Sequence, residues 1–235
     1  MTKLKAPSRL GTLKESLTVL EFPKWLFNGL DVARQPRGHG EPVIVFPGFG
    51  ADDLSTLPLR RYLNAIGYKT SGWGLGPNLG NVPELIPQVA DIAADMADKS
   101  GQPVNLIGWS LGGYLAREAA RERGDCVNQV ITMGSPIVGG PKYSVVADLY
   151  KLQGADMDEI EIEVKKREQV PLSVPVTAIY SKLDGIVAWQ ACVDRVHSNT
   201  DNIEVSATHL GLGVSSEVYR IIARKLNEHR MPQAA

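Results

Sequence analysis

At 235 residues, with 43% hydrophobic and 22% charged side chains, the chain is long enough for one compact domain with a three-layer core, and its composition is ordinary for a globular protein. Its 25 basic residues against 26 acidic ones exclude an overall basic footprint for nucleic acid and suit a small neutral substrate. No stretch has the apolar length to span a bilayer, and the basic start Met1 to Arg9 lacks the apolar core of a signal peptide, so the chain reads as cytoplasmic.

Residues 10–30 carry Leu13, Leu17, Leu20, Trp25, Leu26 and Leu30 at an approximately helical spacing broken by Pro23. This predicts an N-terminal helical segment over 1–40. It packs as a helix pair on the domain, or it offers Trp25-Leu26-Phe27 as a lid or lipid-facing surface. The breakers of Gln35 to Gly40 close it. Pro42 to Phe46 then reads as a short buried strand, and Pro47-Gly48-Phe49-Gly50 as the loop over its carboxyl end.

Leu54 to Ile66 predicts a helix and Tyr68-Lys69-Thr70 a strand, which enters the glycine-rich loop Gly72 to Gly80. That loop fails both the dinucleotide and the P-loop spacing, so no phosphate cradle is implied. It reads as a pocket rim in which Trp73 and Leu75 either touch substrate or simply pack. Pro83 to Lys99 is an amphipathic helix leading to the next strand.

Val104 to Ile107 is apolar and strand-like, whereas Leu111 to Ala120 is rich in alanine and leucine and helix-like. Gly108-Trp109-Ser110-Leu111-Gly112 must therefore turn very tightly. A strand feeding at once into a helix strains the central residue, and glycines at 108 and 112 permit the close approach. Ser110 is pushed out at the start of a helix, where free N–H groups can receive an oxyanion. This is a nucleophile elbow.

Val130 to Met133 makes the next strand, and the stretch 137–171 is too long to be a plain connection, so it should hold helices of its own. Gly139-Gly140-Pro141 is a candidate hinge, and the mixed charges of Glu159 to Glu168 read as a solvated helix face. Val174 to Tyr180 is a further strand. Asp184 follows in the loop beyond it, either as a turn residue before Gly185 or as a carboxylate able to orient a histidine. Asn202 to Val205 is the last strand, and His209 lies just past its end. His39 precedes the serine, His197 precedes the last strand and His229 lies in a charged terminal helix, which leaves His209 as the candidate base. Cys126 and Cys192 stand in no metal or redox spacing and read as reduced structural thiols.

The elbow run, together with the order of elements from Glu41 onward, resembles the α/β-hydrolase superfamily, particularly its small serine esterases and lipases. The resemblance implies a three-layer α/β fold, a mostly parallel sheet of about six strands and a small helical lid insert, which would be 137–171 lying partly over Ser110. It implies a triad of Ser110, Asp184 and His209, with the N–H groups of Phe49 and Leu111 as the oxyanion hole. Pro47 stands where many relatives have histidine. Trp109 joins Trp73 and Leu75 as a candidate substrate contact. The implied reaction is hydrolysis of a carboxylic ester, lipid-like esters included, with no metal or organic cofactor. Acyl transfer or thioester cleavage by the same triad, or a ligand-binding protein that keeps the fold without catalysis, are the alternatives.

Overall fold

Five-residue runs such as Pro42-Val43-Ile44-Val45-Phe46 are apolar at every position, the pattern of a strand covered on both faces. The structure, a computed structural model, describes residues 34–230 and, ahead of them, Leu4, Ala6, Pro7, Thr12, Glu15 and Thr18. The predicted N-terminal helix pair and the Trp25-Leu26-Phe27 surface lie outside the described residues.

In chain order the elements are β1 (Pro42–Phe46), α1 (Asp53–Ala65), β2 (Lys69–Gly72), α2 (Val82–Ser100), β3 (Val104–Trp109), α3 (Leu111–Glu122) and β4 (Val127–Met133). There follow a 3-10 turn at Gly140–Tyr143, α4 (Ala147–Leu152), α5 (Met157–Glu168), β5 (Val176–Tyr180), a second 3-10 turn at Trp189–Cys192, β6 (Thr200–Glu204), α6 (His209–Leu212) and α7 (Ser216–Glu228). The six strands form one sheet in the order β2-β1-β3-β4-β5-β6, every neighbouring pair parallel.

Successive strand residues serve opposite layers, as a pleated sheet requires. Ile44, Phe46, Leu106 and Val130 pack with α2 and α3 on one face. Val43, Val45, Ile107 and Ile131 pack with α1 and α7 on the other. The result is a three-layer α/β fold.

Several element ends differ from the sequence reading for local reasons. β5 begins at Val176 rather than Val174 because Pro175 has no N–H to give a ladder. β4 starts earlier, at Val127, where a register shift beside Val104 and Asn105 admits the polar Asn128 and Gln129. Asp52 caps α1 by accepting from the Leu54 N–H at 2.9 Å.

The strand order carries the functional geometry. From β1 the chain first steps outward to β2 and then returns past β1 to β3, so the winding reverses between β1 and β3. Loops leaving the carboxyl ends of those two strands diverge to opposite faces and open a crevice. Because all six strands are parallel, the loops after β1, β3, β5 and β6 emerge on that same edge.

Candidate active site

The connection from β3 to α3 contains no loop residue except Ser110, whose φ of +56° and ψ of −125° make it the one non-glycine residue with positive φ among the described residues. Such a conformation costs about 1–3 kcal/mol and persists only where its surroundings enforce it. Its N–H donates to the Met133 carbonyl at 2.8 Å, which ties the turn to β4. A Cβ on Gly108 would overlap the Gly112 carbonyl and the Gly113 backbone, and one on Gly112 would overlap the Phe46 carbonyl. Leu111 is the first residue of α3, so its N–H has no partner within the helix.

The loop after β1 runs against this turn. A Cβ at Gly48 would lie 3.2 Å from Ser110 Cβ, so the Pro47–Gly50 backbone crosses directly beside the serine. Asn78, fully buried, pins that loop. Its Nδ2 donates to the Pro47 carbonyl at 2.9 Å, its carbonyl accepts from the Gly50 N–H at 2.7 Å, and its N–H donates to the Ala51 carbonyl at 2.8 Å. The Phe49 ring tilts onto Tyr150 of α4 with centroids 5.3 Å apart, linking the loop to the 137–171 insert.

His209 begins α6 just past β6, and its Nδ1 lies 2.7 Å from Asp184 Oδ2 in the loop after β5; both side chains are buried. The other carboxylate oxygen of Asp184 accepts from the N–H groups of Ile186, at 2.9 Å, and Val187, at 2.7 Å. Both oxygens are thereby oriented, one towards the backbone and one towards the imidazole. Thr208 caps α6 by accepting from the Gly211 N–H at 3.0 Å. Trp109 Nε1 donates to the His209 carbonyl at 3.1 Å, and the two rings lie 6.0 Å apart.

Ser110 and His209 line one cavity of about 1140 Å³, together with Phe49, Trp109, Leu111 and Tyr114. The cavity extends along α3 as far as Glu122 and Arg123, and the insert supplies Val146, Tyr150, Ile160 and Val164 to its wall. Its character is apolar even at the phenols: burial pushes the Tyr150 hydroxyl up to about 12 and that of Tyr114 higher still, so both stay neutral.

Among the sequence candidates, Ser110, His209, Trp109, Phe49 and Leu111 all line this cavity, and Asp184 lies behind His209. Trp73 and Leu75 do not line it. The Trp73 ring is buried in the core and its Nε1 donates to the Gly76 carbonyl at 2.8 Å, so the side chain folds into its own loop rather than over the pocket. The same loop reaches the cavity two residues past Pro77, through Leu79 and Gly80.

The remaining histidines occupy other settings. His197 makes a second His–Asp contact, Nδ1 to Asp194 Oδ2 at 2.9 Å, but that carboxylate is also bound by buried Arg117 at 2.8 Å. Burial works against the Asp194 charge, yet Arg117 and the N–H groups of His197 and Val196 hold it well below the usual carboxylate range, as expected of a structural ion pair. His39 is exposed, and His229 ends α7. Among the described residues no group of three or more His, Cys, Asp or Glu side chains is placed to hold a metal ion, and no helix is long and apolar enough to cross a membrane.

No family model matches the sequence. Solved structures of similar architecture include a monoacylglycerol lipase from Paleococcus ferrophilus, with a TM-score of 0.60 and 17% identity over 83% of this chain and 97% of that one. They also include the lipase BlEst2 of Bacillus licheniformis, with a TM-score of 0.62 and 15% identity over 81% of this chain and 94% of that one. The chain thus shares the three-layer α/β fold of these solved structures, two of which are lipases.

Two curated relatives are similar in sequence. The chain is 26% identical over 137 residues to a pimeloyl-(acyl-carrier protein) methyl ester esterase of Aliivibrio salmonicida, a match covering 56% of this chain and 49% of that protein. It is 23% identical over 233 residues to the mitochondrial palmitoyl-protein thioesterase ABHD10 of Bos taurus, covering 85% of this chain and 70% of that one. The match to the first relative spans about half of its length.

Proposed function

We propose that the protein is a serine hydrolase that cleaves carboxylic esters of apolar acyl groups through an acyl-enzyme, with Ser110 as nucleophile, His209 as base and Asp184 as the orienting acid. The observation that carries this is a serine held at positive φ on a helix N-terminus, in one cavity with a histidine whose far nitrogen is engaged by a buried carboxylate. That strain has no evident structural return elsewhere in the fold, and it is what exposes a hydroxyl at the crevice.

In the proposed reaction the Ser110 hydroxyl gives its proton to His209 Nε2 as its oxygen attacks the ester carbonyl. The Asp184 carboxylate stabilises the imidazolium through the Nδ1 proton. Phe49 and Leu111 N–H groups receive the oxyanion, His209 returns the proton to the leaving alcohol, and water attacks the acyl-enzyme by the same steps to release the acid and free Ser110. Each oxyanion donor contributes on the order of 3 kcal/mol to the barrier reduction.

The similarity to a thioesterase over most of this chain supports a second reading, in which the leaving group is a thiol; nothing in the elbow selects oxygen over sulfur. Matched oxoester and thioester substrates of one acyl group, compared by kcat/KM, separate the two. The test of the main proposal is chemical. An organophosphonate should modify Ser110 once per chain, and Ser110→Ala should lower kcat by at least about a thousandfold while leaving the fold intact. An intact protein whose Ser110 resists the reagent would be a binding member of the fold instead.

A further inference from the structure

The two loops that bring Asp184 and His209 together leave different strands, β5 and β6, and something must fix their separation. A carboxylate from far upstream in the chain touches both. Glu15, buried, accepts from the Gly185 N–H at 2.8 Å and the His209 N–H at 3.0 Å through Oε1, and from the Leu210 N–H at 2.8 Å through Oε2. Gly185 is the residue after Asp184, and His209 is the proposed base itself. Three residues on, the Thr18 hydroxyl lies 2.6 Å from that of Thr208, the residue that caps the turn carrying His209.

We infer that Glu15 is a positioning residue for the reaction: its carboxylate clamps the backbone of the acid loop to the backbone of the base, holding the Asp184–His209 pair in register with Ser110. The inference rests on the reading of those three residues as the catalytic set. Its physical basis is the geometry of one anion shared by three N–H groups. Charge-assisted hydrogen bonds of this kind are short and directional, and one carboxylate that holds Gly185 on one loop and His209 and Leu210 on the other fixes the separation between them. Without it the N–H groups of Gly185 and His209, both in buried residues, lose their partner, and the Asp184–His209 hydrogen bond is left to set the base against the acid, with the Lys182–Glu204 ion pair and the Val205 N–H to Tyr180 carbonyl bond holding only the strand ends. Neither Glu15 nor Thr18 lines the substrate cavity. Loss of the clamp should therefore loosen the base without touching substrate binding, and a misplacement on the order of 1 Å costs about a hundredfold in rate.

The test compares Glu15→Gln and Glu15→Ala with the unaltered protein in three measurements: kcat and KM for a short p-nitrophenyl ester, thermal melting, and the low-field proton resonance of His209 Nδ1–H held by Asp184. Glutamine keeps the volume and one acceptor oxygen for the Gly185 and His209 N–H groups, but it loses the charge and sets its NH2 group against the Leu210 N–H, so it weakens the clamp, whereas alanine removes it. The expected result is a folded Glu15→Gln protein whose kcat falls by at least about tenfold with KM within about twofold, and whose low-field resonance broadens or shifts. Unchanged kcat and an unchanged resonance in both variants would overturn the inference. So would a rise in KM together with a fall in melting temperature, or failure of both variants to fold, since either makes Glu15 a folding residue only. If the unaltered protein hydrolyses no ester and resists the organophosphonate, the hydrolase reading fails on its own, and the resonance still decides whether Glu15 orders the His209–Asp184 pair.

Discussion

The chemistry proposed here depends on which atom of each side chain faces which neighbour, and Asp184 shows how tightly that is specified. Its Oδ1 is committed to two backbone N–H groups and its Oδ2 to His209. In Asp184→Asn the remaining oxygen must serve the backbone pair, which turns the NH2 group towards the imidazole and forces Nδ1 into the acceptor tautomer. Nε2 then carries the proton and cannot take one from Ser110, so kcat should fall by about a thousand- to ten-thousandfold with little change in melting temperature. Steady-state kinetics and calorimetry on the purified variant check both halves. Asn78 offers a different outcome, because it acts through the loop that bears Phe49. Asn78→Ala leaves the Pro47 carbonyl without its buried donor and frees the Phe49 N–H to drift, so kcat should drop by about a hundredfold while KM for a small ester stays near its original value. The residues that could be found from sequence and those that could not differ in one respect. Ser110 announces itself through immediate neighbours, since a strand, two glycines and a helix are contiguous. Asn78 and Glu15 act through contacts 31 and 194 positions away in the chain, and an isolated Asn or Glu carries no local mark of such a partner.

Elements show the same division. The helices and strands of the core were legible because apolar periodicity decides them, whereas strand ends followed Pro175 and the register shift near Asn105, details visible only once neighbours are placed. Trp73 was ambiguous for a related reason: a large aromatic in a glycine-rich loop looks the same whether it fills the core or rims a pocket, and here the indole N–H found a carbonyl within its own loop. The insert helix α5 meets the elbow helix α3 through charge. Arg167 binds Glu118 and Glu122 of α3, and Glu118 also binds Arg121. Glu168, the next residue on α5, sits in a less favourable place. Burial raises its carboxyl to about 7; the charge of Arg117 works the other way, while that of Asp194 adds to the rise. The folded chain therefore holds this proton more tightly than the unfolded one, whose carboxyl titrates near the ordinary 4.5. The sign follows from linkage: the contribution is fully present below about pH 4.5 and is lost as pH rises through about 7, where the charged form must be buried. Glu168→Gln has no such proton to lose. Its melting temperature relative to the unaltered protein should therefore climb between about pH 5 and about pH 8, and a difference independent of pH would show that Glu168 is solvated in the folded state.

At the scale of the whole molecule, the reversal of strand order between β1 and β3 puts the crevice where it is, and the insert turns that crevice into a cavity with a direction. The lining includes Leu111 and Tyr114 at the start of α3 and Glu122 at its end, and the 12 residues of that helix span roughly 16 Å at the helical rise of about 1.5 Å per residue. The near end holds Ser110 and His209, and the far end is marked by Glu122, Arg123 and Arg167, where an apolar chain has nothing further to gain. An acyl group laid along this wall loses water one methylene at a time. At about 0.8 kcal/mol for each buried methylene, kcat/KM should rise by about fourfold per carbon until the charged end is reached and then level off. Ile160→Trp, on the face of α5 that lines the cavity, takes volume from that wall and should move the plateau to shorter chains. A profile flat in chain length, in both proteins, would mean that the acyl group leaves the site by another route and that the space along α3 receives the alcohol instead. The acyl and alcohol groups then exchange places without disturbing the elbow itself, because Ser110 stands where the two branches of the substrate part.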